Sequence, residues 1–187
     1  MLQSHLLAGF GPLAPALLAQ INAAISTETR KKGEHLIRQG EVAKKLYFLE
    51  KGSCRSYTLK DGKDITTWFT LEQEFITPFT SFFPQQPSYE SIELLEDSQL
   101  VGFDHHRFQH LRETSTTFEK LVNHFISQYT IQLEERLLVL QTYTAKEKYA
   151  YLLNQFPVLI QRIPVKHLAS FLGISRETLS RMRSEAS

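Results

Sequence analysis

The residues whose types and spacing could recognise a ligand lie near the C-terminus, in the stretch VKHLASFLGISRETLSRMR. Arg176 and Arg181 could each donate two hydrogen bonds to guanine O6 and N7, and Glu177 could accept one from cytosine N4. A helix that begins after Ser175, its predicted N-cap, would carry these side chains and Ser180 on its outward face. The stretch therefore predicts a short helix that reads base edges in DNA.

The residues around this helix meet the packing demands of a helix-turn-helix. Ala169 is a small residue where the two helices would cross, and Gly173 suits the turn between them. The predicted apolar anchors of the two helices are Leu168, Leu172, Ile174, Leu179 and Met182. The alternative is an ordinary helical hairpin with a solvated charged face.

The distribution of charge also favours a DNA contact at this end. The 187 residues have a net charge of +1, but residues 145–187 hold seven basic and three acidic residues. That segment therefore carries +4, and the remainder of the chain carries −3. A basic end is expected where a protein meets phosphates, and Lys166 is predicted to contact them.

Residues 30–103 show the short alternating patterns of β-strands rather than helices. Asp61-Gly62 lies between two such patterns and is a strong signal for a hairpin turn. Further glycines and prolines punctuate the segment at the spacing of a β-sandwich or barrel. Asp104 is then predicted to cap a short helix that ends near Leu111.

The period changes again in residues 116–143, which predict one long helix. Thr116 and Glu119 form a predicted capping box at its start. An apolar stripe with heptad spacing follows, interrupted only by Arg136: Val122, Ile126, Tyr129, Leu133, Arg136, Leu140 and Tyr143. We expect Val122, Ile126, Tyr129, Leu133 and Leu140 to pack on a second copy of the helix. The alternative is that the whole stripe covers a core within one chain.

The segment after the long helix predicts shorter helices. Thr144 and Glu147 form a second capping box, and the helix they start should end where Pro157 follows Phe156. Pro164 should then begin the first helix of the helix-turn-helix. The break at residues 142–144 is a predicted hinge between the helix-turn-helix and the part of the chain that precedes it.

The stretch ISRETLSRM closely resembles the recognition helix of the Crp/Fnr regulators, especially their cyclic-AMP receptor branch. The predicted order of β-roll, long helix and helix-turn-helix agrees with that family. The resemblance implies that Arg176, Glu177 and Arg181 contact base edges and that a dimer reads two inverted half-sites. The sequence stops six residues after Arg181, so some DNA-backbone contacts of longer members are expected to be missing.

The resemblance also locates a candidate effector pocket, in EFITPFTSFFPQQPSYESIELL. Cyclic-nucleotide binders of the family carry a Gly-Glu pair and an Arg followed by a small residue there. The matching positions hold Ile76-Thr77 and Tyr89-Glu90, next to Ser91. A carboxylate would repel the cyclic phosphate where a cation should hold it, so we expect no response to cyclic AMP or cyclic GMP.

Other chemistries find less support in the sequence. His106 and His110 could share a helix face as metal ligands, but no third ligand is evident, so no metal is expected. The His and Glu strand motif of cupin enzymes is absent, so neither an enzyme nor a cofactor is expected. Cys54 is the single cysteine and cannot form an internal disulfide. Residues 1–26 are interpreted as an amphipathic helix rather than a signal peptide.

Together these patterns predict an α+β chain in three parts. Residues 1–115 form an antiparallel β-roll sensor of the jelly-roll type with an N-terminal helix, residues 116–143 the dimerisation helix, and residues 144–187 the helix-turn-helix. The predicted protein is a cytoplasmic, homodimeric regulator that binds double-stranded DNA and no membrane. A small-molecule effector and RNA polymerase are the further partners that the resemblance suggests. The alternative is a sensing or interaction module whose helix-turn-helix does not bind DNA.

Overall fold

The computed structural model describes residues 13–185, so the first part of the predicted N-terminal helix, residues 1–12, lies outside them. Two four-stranded sheets form the β-roll, with strand orders β1-β8-β3-β6 and β2-β7-β4-β5. Within each sheet, every pair of neighbouring strands is antiparallel. The strands are β1 (Ile25–Arg30), β2 (His35–Ile37), β3 (Lys45–Lys51), β4 (Cys54–Lys60), β5 (Lys63–Thr70), β6 (Phe75–Ile76), β7 (Ser91–Leu94) and β8 (Ser98–Asp104).

Eight helices surround or follow the β-roll in the described part of the chain. They are α1 (Pro15–Ala24), α2 (Phe79–Phe82), α3 (His105–Thr114), α4 (Thr116–Thr142), α5 (Ala145–Gln155), α6 (Pro157–Arg162), α7 (Val165–Leu172) and α8 (Arg176–Glu185). The predicted α+β class, with a β-roll, one long helix and terminal short helices, is confirmed.

The hairpin predicted at Asp61-Gly62 joins β4 to β5. Lys60 pairs with Lys63, which leaves a two-residue loop. Both loop residues have positive φ, 52° for Asp61 and 74° for Gly62. This conformation matches the right-handed twist of the flanking strands, which is why the Asp-Gly pair is a reliable signal.

Of the helix starts predicted at Asp104, Thr116 and Thr144, the structure confirms two and contradicts one. Asp104 caps α3, and Thr144 and Glu147 form the predicted capping box of α5. The cap predicted at Thr116 is wrong, because the hydroxyl of Ser115 accepts the Phe118 amide hydrogen and caps α4. Glu119 instead forms an ion pair with Arg112, a residue of the preceding helix.

The segment after α5 also differs from its prediction. Pro157 does end α5, but it starts a further short helix, α6, because proline is well tolerated in the first helical turn. Val165 then begins α7 directly after Pro164, as predicted.

Two apolar cores hold the molecule together. The first fills the β-roll and includes the first half of α4, where Phe118, Leu121 and Val122 are buried. The second lies among α5, α6, α7 and α8 and takes in Phe69 from β5. Since a strand of the β-roll contributes to the second core, the terminal helices are packed on the β-roll.

Candidate nucleic-acid interface and effector cavity

The turn between α7 and α8 has the geometry that a helix-turn-helix requires. Gly173 is left-handed with φ of 66°, and its amide hydrogen bonds to the Ser170 carbonyl at 3.1 Å. The Ile174 amide donates to the Ala169 carbonyl at 3.1 Å. This paired closure of a helix end favours glycine, since a Cβ is strained at positive φ.

Buried apolar side chains then fix α8 against α7. Leu179 is fully buried, and Leu168, Ala169 and Leu172 are almost so. The predicted anchors Ile174 and Met182 pack on the same core while partly exposed. The orientation of α8 is therefore set by apolar packing rather than by its polar side chains.

The opposite side of α8 forms a polar surface, here called the reading face, made of Arg176, Glu177, Ser180 and Arg181. All four side chains are exposed. Ser175 caps the helix as predicted, since its hydroxyl accepts the Thr178 amide hydrogen at 3.1 Å. Hydrogen bonds from its own amide and from Ser175 lower the pKa of Glu177, which keeps this side chain an acceptor. Lys166 is exposed on α7.

The helices α6 and α7 contact the β-roll through a second surface, here called the junction face. It consists of Arg162, Ser170 and Phe171. Arg162 forms ion pairs with Glu72 at 2.7 Å and with Glu96 at 2.7 Å. Its guanidinium also donates to the Gly52 carbonyl at 3.0 Å. The Arg162 guanidinium lowers the pKa of Glu72 to about 2.

The remaining contacts of the junction face hold α7 beside β5. The Ser170 hydroxyl accepts the Thr66 amide hydrogen at 2.9 Å. The Phe171 ring packs on Phe69, with 5.0 Å between centroids. Arg136 of α4 stacks on the Phe171 ring at 3.6 Å and donates to its carbonyl at 3.1 Å. Burial lowers the pKa of Arg136 to about 10.

A cavity of about 500 Å³, here called the groove, lies between the β-roll and α4. Among the predicted pocket residues, Ile76, Thr77 and Glu90 line it. Tyr89 does not, because its side chain is 75% exposed on the outer surface. Ser91 is not in the lining either, since it is buried with its hydroxyl accepting the Gln39 amide hydrogen. Residues 89–90 form a bend just before β7, in which the Ser88 hydroxyl accepts the Glu90 amide hydrogen at 3.2 Å, and this bend separates Glu90 from its neighbours.

The cations that could have replaced the missing family arginine are held elsewhere. Arg55 is buried between Asp64 and Glu93, at 2.5 Å and 2.8 Å. Arg107 donates to the Ala23 carbonyl at 2.9 Å. No Lys, Arg or His belongs to the groove lining among residues 13–185.

Comparisons with known proteins match the β-roll and extend over most of the chain, including the terminal helices. The family model described as the cyclic nucleotide-binding domain matches residues 27–115. The transcriptional activator protein Anr of Pseudomonas protegens is 25% identical over 167 residues, 81% of this chain and 66% of Anr. The chain thus spans about two thirds of the length of that relative.

Solved structures share the fold across most of the chain. FixK2 from Bradyrhizobium japonicum has a TM-score of 0.75 at 18% identity, with 86% of this chain and 83% of that one covered. A crp/fnr-family transcriptional regulator from Eubacterium rectale has a TM-score of 0.73 at 18% identity, with 92% and 83% covered. The chain is thus similar to Crp/Fnr-family regulators in sequence and in fold. The groove lies within the part that the family model matches, apart from Ile21, Ile25 and its α4 residues.

The apolar stripe of the long helix is buried in its own chain at one end and exposed at the other. Val122 is buried in its own chain, and Tyr129 packs on Phe79 and Trp68, with centroids 4.4 Å and 5.6 Å away. Ile126 is partly exposed. Large apolar side chains are exposed on two sides of the second half of α4, with Leu133, Leu137 and Leu140 on one side and Ile131 and Leu138 on the other.

Three observations bear on the other chemistries that were weighed from the sequence. The described residues contain no group of three or more His, Cys, Asp or Glu that could hold a metal ion. Burial raises the pKa of the Cys54 thiol to about 12. None of the helices in the described ranges is long and apolar enough to cross a membrane.

Proposed function

We propose that this protein is a homodimeric transcription regulator that recognises a specific DNA sequence with α8. The observation that carries the proposal is the division of α8 into a buried side anchored by Leu179 and an exposed reading face. Arginine and glutamate side chains of that face offer the donors and acceptor that match guanine and cytosine edges. The proposal places the protein in the cytoplasm and assigns it no catalytic activity.

The proposed dimer forms along α4. Leu133, Leu137 and Leu140 recur at intervals of four and three residues and are exposed on one side of the helix. Ile126 extends this row toward the β-roll. Because such a row of exposed large apolar residues is unfavourable in water, a second copy of α4 is the partner that fits its heptad spacing.

The proposed regulator does not respond to cyclic AMP or cyclic GMP. Glu90 lies in the groove, where a cyclic phosphate would need a cation. Arg55 is already committed to two carboxylates, so it is not free to serve. Burying a phosphate next to a carboxylate without a compensating cation is unfavourable.

The experiment that tests the DNA-reading proposal is a selection of bound sites from random DNA. A single recovered motif with two inverted half-sites, whose centres are roughly 10 bp apart, is expected from a two-fold dimer. Retention on that motif should weaken steeply as salt rises, since phosphate contacts release counterions. Recovery of no motif, with no salt-sensitive retention, would instead support an interaction module that does not bind DNA.

Two further measurements separate the parts of the proposal. An Ile126→Asp protein should be monomeric by light scattering and should lose cooperative binding to the two half-sites, because a carboxylate in an apolar seam is costly. A matched Ser127→Asp protein, changed at the adjacent exposed position, should stay dimeric. Calorimetric titration with cyclic AMP and cyclic GMP should give no micromolar binding.

A further inference from the structure

The charged residues of the groove all have the same sign. Glu74, which precedes β6, and Glu90, which precedes β7, line it together with apolar and neutral polar residues. No positively charged side chain joins them in the described lining. The electrostatic potential inside the groove therefore disfavours anions and favours cations.

Each of these carboxylates keeps a hydrogen bond but has no ion pair within residues 13–185. Glu90 accepts the Thr67 hydroxyl hydrogen at 2.8 Å. Glu74 accepts the Leu71 amide hydrogen at 2.9 Å, while its side chain remains open to the groove. Loss of hydration at the groove wall raises the pKa of both carboxyls, Glu90 being the less exposed of the two, so a nearby cation would stabilise each ionised form.

Aromatic rings make up much of the remaining wall. Tyr129 lies 4.4 Å from Phe79 between ring centroids and 5.6 Å from Trp68. Phe75 and Phe125 lie 4.9 Å apart. The face of an aromatic ring attracts cations, most strongly when water is excluded, and the same rings bury an apolar ligand body.

We propose that the groove binds an amphiphilic cation, that is, a quaternary or protonated amine attached to an aromatic or aliphatic body. The aromatic wall would bury the body, and Glu74 and Glu90 would face the charged centre. A cavity of about 500 Å³ falls in the size range of small-molecule sites. The use of such a ligand as a regulatory signal rests on the proposed function, whereas its binding does not.

The rim of the groove connects this site to the proposed dimer. Ile126 and Leu133 belong to the groove lining and also to the row proposed as the dimer seam. A second copy of α4 packed on that row would cover the open side of the groove. A bound cation would thereby be shielded from water, which strengthens its attraction to both carboxylates.

Trp68 provides a direct test, because it is the single tryptophan of the chain and lines the groove. Phenyltrimethylammonium and tert-butylbenzene have the same shape and differ in charge, so titrating each against Trp68 emission isolates the electrostatic contribution. The cation should bind the unaltered protein about a hundredfold more tightly than its neutral analogue, since each of the two carboxylates contributes an attraction worth about tenfold. Benzenesulfonate should not bind.

Matched variants show whether the two carboxylates are responsible. Glu74→Gln and Glu90→Gln keep an oxygen for their hydrogen bonds but remove the charge, so each should weaken cation binding about tenfold and leave tert-butylbenzene unchanged. Glu113→Gln removes an exposed carboxylate on α3, away from the groove, and should bind both probes like the unaltered protein. The melting temperature of each variant shows whether it remains folded.

Three outcomes would overturn the proposal: equal affinity for the cation and its neutral analogue, unchanged cation binding in both groove variants, or no change in Trp68 emission with any probe. The last outcome would mean that side chains of this chain or of a second copy fill the groove. Retention on the selected DNA motif, measured in the same samples, keeps the two proposals apart. Failed cation binding with intact DNA retention contradicts the ligand class alone.

Discussion

The junction face and the reading face belong to the same group of terminal helices, and both carry arginine, but their arginines have different surroundings. On the junction face, Arg162 is held by Glu72, Glu96 and a backbone carbonyl. On the reading face, Arg176 and Arg181 are exposed and form no ion pair within the described residues. An arginine without a protein partner can bind a phosphate or a base edge, whereas a fully bonded one stabilises the contact between domains.

This difference changes how the positive charge of residues 145–187 is interpreted. The sequence alone counts Arg162 among the basic residues that favour DNA binding. Its two carboxylate partners neutralise it, so the part of that charge available to DNA lies on other residues, including Arg176, Arg181 and Lys166. In the proposed function, net charge thus indicates the end of the chain that would meet DNA, while the ion pairs of each side chain indicate which residues could take part.

The largest effects should come from the reading face. Arg176→Ala and Arg181→Ala should each weaken binding to the selected motif by roughly 1–3 kcal/mol and relax the preference at one base pair. Lys166→Ala should weaken binding to all sequences about equally, as expected for a phosphate contact. Equal losses on the selected motif and on random DNA for Arg176→Ala would contradict base reading and blur the distinction between the two faces.

The next effect should come from the junction face, in stability rather than in DNA affinity. Arg162→Met leaves Glu72 and Glu96 without their shared cation and should lower the free energy of unfolding by about 1–2 kcal/mol, a value reduced for partial exposure. Arg176→Met is the matched control and should change stability by less than about 0.5 kcal/mol. Similar chemical denaturation midpoints for the two variants would mean that Arg162 stabilises the fold no more than the exposed Arg176 does.

A smaller loss is expected at Ser170. Ser170→Ala removes the acceptor of the Thr66 amide hydrogen and should cost about 1 kcal/mol in the free energy of unfolding. Ser184→Ala, on the exposed side of α8, should stay within about 0.5 kcal/mol of the unaltered protein. If hydrogen exchange at the Thr66 amide is as slow in Ser170→Ala as before, then α7 is not what protects this position.

The smallest effect should be a pH dependence of the folding stability, which arises from the ion pair between Arg162 and Glu72. The folded-state pKa of Glu72, about 2, lies below its usual value of 4.5, so the stabilisation is present above the usual value and is lost as pH falls toward about 2. The stability difference between the unaltered protein and Arg162→Met should therefore be constant above about pH 5.5 and shrink below it. If that stability difference persists at pH 2, it arises from packing of the Arg162 side chain rather than from its ion pairs.

Local signals in the sequence predicted the features that depend on a few adjacent residues. Asp61-Gly62 and Gly173 require positive φ, and the Thr144 capping box is complete within four residues. Thr116 fits the capping-box pattern, because Glu119 follows three residues later, whereas Phe118 stands at that position after Ser115. In the structure Glu119 pairs with Arg112 of the preceding helix instead, and Ser115 caps α4.

Features that depend on distant parts of the chain could not be predicted in this way. By its heptad spacing, the stripe predicts the same role for Tyr129 and Arg136 as for Leu133. In the structure, however, Tyr129 contacts the β-roll and Arg136 contacts α7 of its own chain. Nothing near Arg162 in sequence indicates Glu72, which lies 90 residues earlier. Similarly, no local motif indicates the bend that places Glu90 in the groove and Tyr89 on the outer surface.

The position of β5 has a consequence for how this protein behaves when it is divided. β5 is the outermost strand of its sheet, and the Ser170 hydroxyl takes up the amide hydrogen of Thr66 on its free side. Uncovered edge strands are templates on which other chains can add strands and aggregate. We therefore expect α7 to shield the β-roll from self-association, and a β-roll fragment cut before α7 to present that edge to its neighbours.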